Sequence, residues 1–343
     1  MTAAVDLGGL ARDAVPEALI VGLRGARNAL VVSHEHPDAD TIGGVVGICL
    51  LIEALGGRAT ALCSDPIPPL YDFMPGIGRY RTDPEEGVGY DLLVLADCAT
   101  PERVGPVAVR HADLFARLPR AIVDHHASSA AAGPMDWIDA GAAATCELVA
   151  LLAIRLGLGL DLADRVLADV LMAGIVMDTA TFAHPNATAR TLAVSAALVA
   201  VGAPLSDISR RLYRTKPDQQ LKLFGRVLER LETTGDRLLV WSTLRSGDLE
   251  ASGAIPAHSE GIIDLLAQAE TAEVSMLFKE QEDGTTRLSV RTKPGGVDAT
   301  VLTGMFGGGG HARAAGATVS LPLAEAIAAV RAVAEPMAAL VRR

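Results

Sequence analysis

Aspartate and histidine recur together at four places in this chain. Residues 34–41 read HEHPDADT and supply His34, Asp38 and Asp40. "LADCA" supplies Asp97, "AIVDHHASS" supplies Asp124, His125 and His126, and "GIVMDTATF" supplies Asp178. Each group closes a short apolar run. A single aspartate in that position is ordinarily a turn or helix-cap residue, but four such groups in one chain point to a shared crevice. Four carboxylates converging there without compensation would repel one another and take up protons. Two divalent cations would neutralise Asp38, Asp40, Asp97 and Asp178 charge for charge. Mixed aspartate and histidine ligation suits manganese, and allows iron, cobalt or zinc. A pair of such ions, about 3.5–4 Å apart, is a recurring device for phosphoester hydrolysis, bridging and activating a water. His36, beside the first group, reads as a loop residue.

The elements that must carry these residues alternate along the first half. "NALVVSH" (28–34), "RATALCSD" (58–65), "DLLVLADCA" (91–99) and "RAIVDHH" (120–126) read as buried strands. They are too continuously apolar for a sheet with one wet face, which predicts a mainly parallel sheet flanked by helices. "TIGGVVGICLLIEALGG" (41–57) reads as a helix ending at Gly56-Gly57, and "AATCELVALLAIRLG" and "LADRVLADVLMAGIVMD" read as further helices. In an open parallel sheet, ligands bind outside the carboxyl ends of the strands, where these polar groups fall; Asp178 is counted with them as a strand-end residue. The fold class is therefore α/β, with a catalytic domain over 1–204.

The texture changes after residue 204. Residues 205–235 are charged and helical and read as a linker, and 236–343 as a smaller α+β domain. Within it, "AEVSMLFKEQEDGTTRLSVRTK" (272–293) reads as a hairpin turning at Glu282-Asp283-Gly284. "FGGGGHARAAG" (306–316) follows. Gly307, Gly308, Gly309 and Gly310 allow successive N–H groups to form an anion-binding nest. His311 comes next, Arg291 and Lys293 add positive charge nearby, and "ARAA" fits the start of a helix carrying Arg313. Phe306 and Tyr213 are the aromatics available for base stacking, with packing the commoner role for each.

Composition bounds the partners. The 343 residues carry a formal net charge of −11 and only 3 % aromatics. An acidic chain lacks the broad basic surface that long nucleic acid requires, although a small anion in a local pocket remains compatible. Cys49, Cys63, Cys98 and Cys146 form no CxxC pair and read as reduced thiols. Asp6 precedes any apolar run, which does not read as a signal peptide, and "TLAVSAALVAVGA" (191–203) reads as a buried helix too short to span a bilayer. A soluble cytoplasmic protein is expected.

The ordered set "HEHPDAD", "LADCA", "VDHH", "GIVMDTATF", then "RLSVRTK" and "MFGGGGHARAAGA", resembles the DHH phosphoesterase family with its DHH-associated C-terminal domain. It is similar to the NrnA-type branch, oligoribonucleases that also act as 3′-phosphoadenosine-5′-phosphate (pAp) phosphatases; some relatives hydrolyse cyclic di-AMP or its linear product, pApA. The resemblance covers residues from about 20 to 335. It implies one metal held by His34, Asp38 and Asp97 and a second by Asp40, Asp97, His125 and Asp178. It further implies that His126 faces the scissile phosphate and that Asp124 orients a histidine. Arg291, Lys293, Gly307–Gly310, His311 and Arg313 would hold the substrate, and a homodimer is a family-level expectation. Where many relatives have "PDGDA", this chain has Ala39 and Thr41, leaving both aspartates in place. The rival readings are a manganese inorganic pyrophosphatase or polyphosphatase sharing the first domain, and a non-catalytic nucleotide-sensing or RNA-binding module.

Overall fold

A computed structural model describes residues 5–126, 129 and 131–341. The chain forms two compact units, Met1–Thr215 and Lys216–Arg343.

The first unit is built on six parallel strands. These are β1 (Asn28–Val32), β2 (Arg58–Leu62), β3 (Tyr80–Arg81), β4 (Leu92–Ala96), β5 (Arg120–Asp124) and β6 (Trp137–Ile138). Their order is β3-β2-β1-β4-β5-β6. Successive side chains in a strand point to opposite faces, and here both faces are buried. Ala29, Val31, Val94, Ala96, Ala121 and Val123 pack into one apolar cluster, whereas Leu30, Val32, Leu93, Leu95 and Ile122 pack into another on the opposite face. That is why these strands are continuously aliphatic. The chain runs outward in one direction through β2 and β3, then returns to β4 on the other side of β1. The β1/β4 boundary is thus the switch point of the sheet, where crevices open at the carboxyl edge.

The helix Ala39–Ala54 starts at this edge. Asp38 caps it, its Oδ1 accepting the N–H groups of Asp40 and Thr41 at 3.0 Å each. The helix Val166–Asp178 packs closely on it, and Gly174 permits the approach: a Cβ there would stand 2.7 Å from Asp40 Oδ1. The Ala189–Ala200 helix, expected to be buried, is amphipathic instead. Val194 and Leu198 face the core while Leu192 and Val199 are exposed. Among the described residues no single helix is long and apolar enough to cross a membrane.

The second unit contains β7 (Glu232–Thr233), β8 (Leu239–Leu244), β9 (Val274–Glu280), β10 (Thr286–Thr292), β11 (Gly309–His311) and β12 (Ala314–Val319), ordered β11-β12-β10-β9-β8-β7. Only β8 and β9 run parallel. The expected hairpin is β9–β10. The helix expected at "ARAA" is absent: Ala314 begins β12, paired with β10 from Arg291↔Ala314 to Thr286↔Val319. Cross-strand pairing overrides the helical preference of alanine there. Residues 205–235 are helical over much of their length, and the division between the two units falls within them. Ile208 and Leu212 join the core of the first unit, whereas Leu223, Phe224 and Val227, on one face of the helix Asp218–Glu229, pack with Leu244 and Leu277 of the second.

Candidate active site

The four sequence groups meet at the carboxyl edge of the first sheet. His34, Asp38 and Asp40 follow β1, Asp97 follows β4, and Asp124 ends β5 with His125 and His126 next. Asp178 arrives on the last residue of the helix Val166–Asp178, as the helical reading of that segment has it, and not from a strand end, where the sequence reading also counts it.

Asp97 stands at the centre. It is buried, with a left-handed backbone (φ 59°) that turns its carboxylate into the crevice while its N–H donates to the Val123 carbonyl at 2.9 Å. Its Oδ2 lies 3.4 Å from His34 Nε2. Its Oδ1 lies 3.6 Å from His125 Nε2 and 3.4 Å from His126 Nδ1. His125 Nε2 also sits 3.2 Å from Asp178 Oδ2 and 3.8 Å from Asp40 Oδ2. Three groups therefore place potential ligand atoms within 4.8 Å of one another: His34, Asp38 and Asp97; Asp40, His125 and Asp178; and Asp97, His125 and His126.

The ring nitrogens are sorted by their second partners. His34 Nδ1 donates to the Glu35 carbonyl at 2.6 Å and His125 Nδ1 to the Ala142 carbonyl at 3.4 Å, so each presents Nε2 to the carboxylates. His126 Nδ1 donates to Asp124 Oδ1 at 2.8 Å. Asp124 also accepts the His126 N–H at 3.1 Å and the Ser129 hydroxyl at 2.5 Å.

Charge in this crevice is under strain without cations. Burial, then Asp178 and Asp97, pushes Asp40 well above the ordinary carboxylate range. Burial, then Asp97 and Asp178, raises Asp38 as well. Burial opposes protonation of His125, but the hydrogen bond to Asp178 and the charges of Asp40 and Asp97 outweigh it and lift the imidazole to about 10. His34 is raised in the same manner, its burial outweighed chiefly by Asp97. Burial would raise Asp124, yet donation from His126 and Ser129 brings it down to about 2. Among the described residues, no lysine or arginine pairs with Asp38, Asp40, Asp97 or Asp178; histidines supply every ion pair these four make. This donor set, oxygen and imidazole nitrogen without a compensating side-chain cation, fits divalent metal ions.

Sequence reasoning missed Thr145 and Cys146. They open the helix Thr145–Leu156, and their N–H groups donate to Asp40 Oδ2 at 2.7 Å and Oδ1 at 2.8 Å. Asp40 thus caps a second helix and gains from its positive end. The departure at Thr41 is accommodated: its hydroxyl donates to the Ala96 carbonyl at 3.3 Å. Tyr213 places its hydroxyl on the Met177 carbonyl at 2.6 Å, beside Asp178.

In the second unit, the substrate-loop candidates have mixed surroundings. Arg291, Gly308, Gly309 and Gly310 line one groove of about 690 Å³. Arg291 Nε pairs with Asp264 at 2.9 Å. Gly307 and Gly308 are committed to ending the helix Ala299–Gly304. Gly307 (φ +71°) donates its N–H to the Gly304 carbonyl at 3.1 Å and Gly308 to Thr303 at 2.9 Å, a Schellman closure. That narrows the expected nest. His311 ends β11 exposed, Arg313 lies exposed in the turn before β12, and Lys293 follows β10, its N–H on the Glu273 carbonyl at 3.1 Å. Phe306 packs against the core of this unit.

Fold and cluster together define a two-unit α/β protein with an aspartate–histidine centre at the carboxyl edge of a parallel sheet. The chain belongs to the DHH family. The DHH family N-terminal domain matches residues 28–175, and the DHHA1 domain matches residues 246–337. The chain is 31 % identical over 289 residues to the bifunctional oligoribonuclease and PAP phosphatase NrnA of Thermus thermophilus, covering 84 % of this chain and 83 % of that protein. It is 24 % identical to the Bacillus subtilis protein of the same name, covering 84 % and 89 %. An exopolyphosphatase-related protein from Bacteroides fragilis has the same fold, with a TM-score of 0.81 at 21 % identity over 95 % of this chain and 98 % of that one.

Proposed function

We propose that this chain is a metal-dependent phosphoesterase that hydrolyses short oligoribonucleotides and pAp, with cyclic di-AMP a further candidate substrate. The observation that carries this reading is the position of Asp97, within 3.6 Å of histidines on both sides of the crevice. Kinship supports the substrate class, since the relatives named above are an oligoribonuclease and PAP phosphatase.

His34, Asp38 and Asp97 would hold one divalent cation, and Asp40, Asp97, His125 and Asp178 a second, manganese being our choice. Such a pair supplies Lewis acidity toward a phosphoryl oxygen and an acidified water. The protein does the rest. Asp124 fixes the His126 ring through Nδ1, leaving Nε2 for a phosphoryl oxygen or the leaving group. Thr145 and Cys146 hold Asp40, so ligand geometry does not depend on the substrate. Arg291, Lys293, the Gly309–His311 strand and Arg313 are our candidates for gripping the nucleotide. We place the reaction in the cytoplasm, in keeping with four buried free thiols, and the active species as a homodimer.

Initial rates with manganese on pAp, pApA, cyclic di-AMP, a five-residue RNA and pyrophosphate test this reading. Turnover of pAp and short RNA is expected. Pyrophosphate as the best substrate would overturn it.

A further inference from the structure

Asp178 occupies an awkward place for a carboxylate. It ends the helix Val166–Asp178, where the aligned peptide dipoles leave partial negative charge and the last carbonyls lack partners within the helix. The chain supplies donors from beyond the helix. The Thr179 hydroxyl donates to the Ile175 carbonyl at 2.6 Å, the Thr181 N–H to Val176 at 2.9 Å and the Tyr213 hydroxyl to Met177 at 2.6 Å. The carbonyl of Asp178 itself accepts from His184 Nδ1 at 3.1 Å and from Asn186 Nδ2 at 3.2 Å.

To bring His184 and Asn186 back over the helix end, the chain turns through Ala180, Thr181 and Phe182, with φ of 47°, 58° and 63°. Three successive left-handed residues, none of them glycine, are strained, and such strain persists only where the surroundings over-determine it. Here the Phe182 N–H donates to Thr179 Oγ1 at 3.0 Å and the His184 N–H to the Thr179 carbonyl at 2.9 Å. The hydroxyls of Thr181 and Ser209 share a further hydrogen bond at 3.0 Å.

Asn186 does more than close this turn. Its Nδ2 also donates to the Ala143 carbonyl at 3.1 Å. Reversing the amide would set Oδ1 against two carbonyl oxygens, so the two N–H bonds fix its orientation. Ala143 directly follows Ala142, whose carbonyl accepts His125 Nδ1 at 3.4 Å. One amide therefore ties the backbone that orients His125 to the residue that carries the Asp178 carboxylate, and those two side chains meet at 3.2 Å. The turn bearing Ala142 and Ala143 has separate supports. Buried Glu147 accepts the Ala143 N–H at 3.1 Å and the Thr191 hydroxyl at 2.7 Å. Arg190 bridges Glu147 to Asp139, with its Nη1 at 2.8 Å from Asp139 Oδ2. What Asn186 adds is the tie to Asp178.

We propose that Asn186 is a positioning residue for the second cation, setting the separation of His125 and Asp178 before the ion arrives. This rests on the two-metal reading above and deepens it, by naming a residue outside the ligand set that governs one ion and spares the other. The hydrogen bonds of Asn186 go to Ala143 and Asp178, and neither belongs to the group of His34, Asp38 and Asp97.

The test compares full-length wild type, Asn186→Ala and Asn186→Asp. Aspartate keeps the size and shape of asparagine, but its ionised carboxylate donates nothing. Calorimetric titration with manganese is expected to show one of two ions weakened about 10–100-fold in both variants, and the other within about twofold of wild type. Turnover of pAp should fall at low manganese and recover as manganese is raised, which a merely structural loss would not do. Wild-type affinity for both ions in Asn186→Asp, or equal weakening of the two, would overturn the proposal. Crystal structures of metal-free wild type and Asn186→Ala separate this claim from the underlying one. The Asp178 carboxylate is expected to move away from His125 in the variant, and an unchanged separation of 3.2 Å would contradict the positioning role. If wild type takes up fewer than two ions or leaves pAp intact, while Asp178 shifts in the variant, the positioning role stands and the two-metal phosphoesterase reading fails.

Discussion

The Thr145 hydroxyl donates to Asp97 Oδ1 at 3.0 Å, while the N–H of the same residue donates to Asp40 Oδ2 at 2.7 Å. One residue at the start of a helix thereby sets the separation of two carboxylates that come from different strand ends. Thr145 is fully buried, so neither bond is shared with solvent.

Removing the hydroxyl should loosen Asp97 without emptying the crevice. Thr145→Val is expected to weaken manganese binding about 10–100-fold, as loss of a hydrogen bond to a metal ligand commonly does, with Thr145→Ser retaining most of it. The stability cost should be about 1.5–3 kcal/mol from the lost hydrogen bond to a buried carboxylate. Calorimetric titration with manganese and urea unfolding measure the two effects separately.

Metal-free protein should lose stability as pH rises. His125 is lifted from 6.5 to about 10 in the folded state. Its folded form therefore binds more protons than the unfolded chain, and the contribution is complete below pH 6.5 and lost progressively up to about pH 10. Asp40, also raised, acts in the same sense. Urea midpoints in EDTA at pH 6.5, 8 and 9.5 should fall in that order. Manganese has to displace the His125 proton, so titration at pH 7.5 in buffers of different ionisation enthalpy should report proton release on binding. A flat midpoint together with no proton release would contradict this picture of the crevice.

The glycine loop separates structural from substrate roles residue by residue. A Cβ on Gly308 would stand 2.2 Å from the Gly316 carbonyl oxygen, whereas one on Gly309 meets nothing within 4 Å. Gly308→Ala should destabilise the second unit by about 1–3 kcal/mol, by the usual cost of overpacking. Gly309→Ala should fold normally and raise KM for pAp, if the nucleotide approaches this strand as we propose. Thermal unfolding and steady-state kinetics of both variants decide this. Unchanged KM in Gly309→Ala would remove this strand from the substrate grip.

Legibility in the sequence followed the range of the forces involved. The first sheet could be read because both its faces are buried, which leaves no polar alternation in 28–32 or 92–96. Asp97, Asp124, His125 and His126 could be found because strand ends point into a switch-point crevice whatever the surrounding detail. Asp178 was found by its type and its helix was read from the apolar pattern, but counting it among the strand ends was wrong: it reaches the crevice from a helix C-terminus. Strand β12 was hidden because "ARAAGATV" has the local preferences of a helix, and only its pairing with β10 makes it a strand. Thr145 carried no local signal: its importance comes from contacts with residues 48 and 105 positions away in sequence.

The central claim is that Asp97 serves two cations at once. Manganese stoichiometry and pAp turnover of wild type and Asp97→Asn, measured on the same folded samples, test it most directly. Two ions per chain in wild type are expected, with one or none in Asp97→Asn, turnover reduced by at least about a thousandfold, and an unchanged far-ultraviolet spectrum. An Asp97→Asn chain that still binds two manganese ions and turns over pAp near the wild-type rate would contradict it.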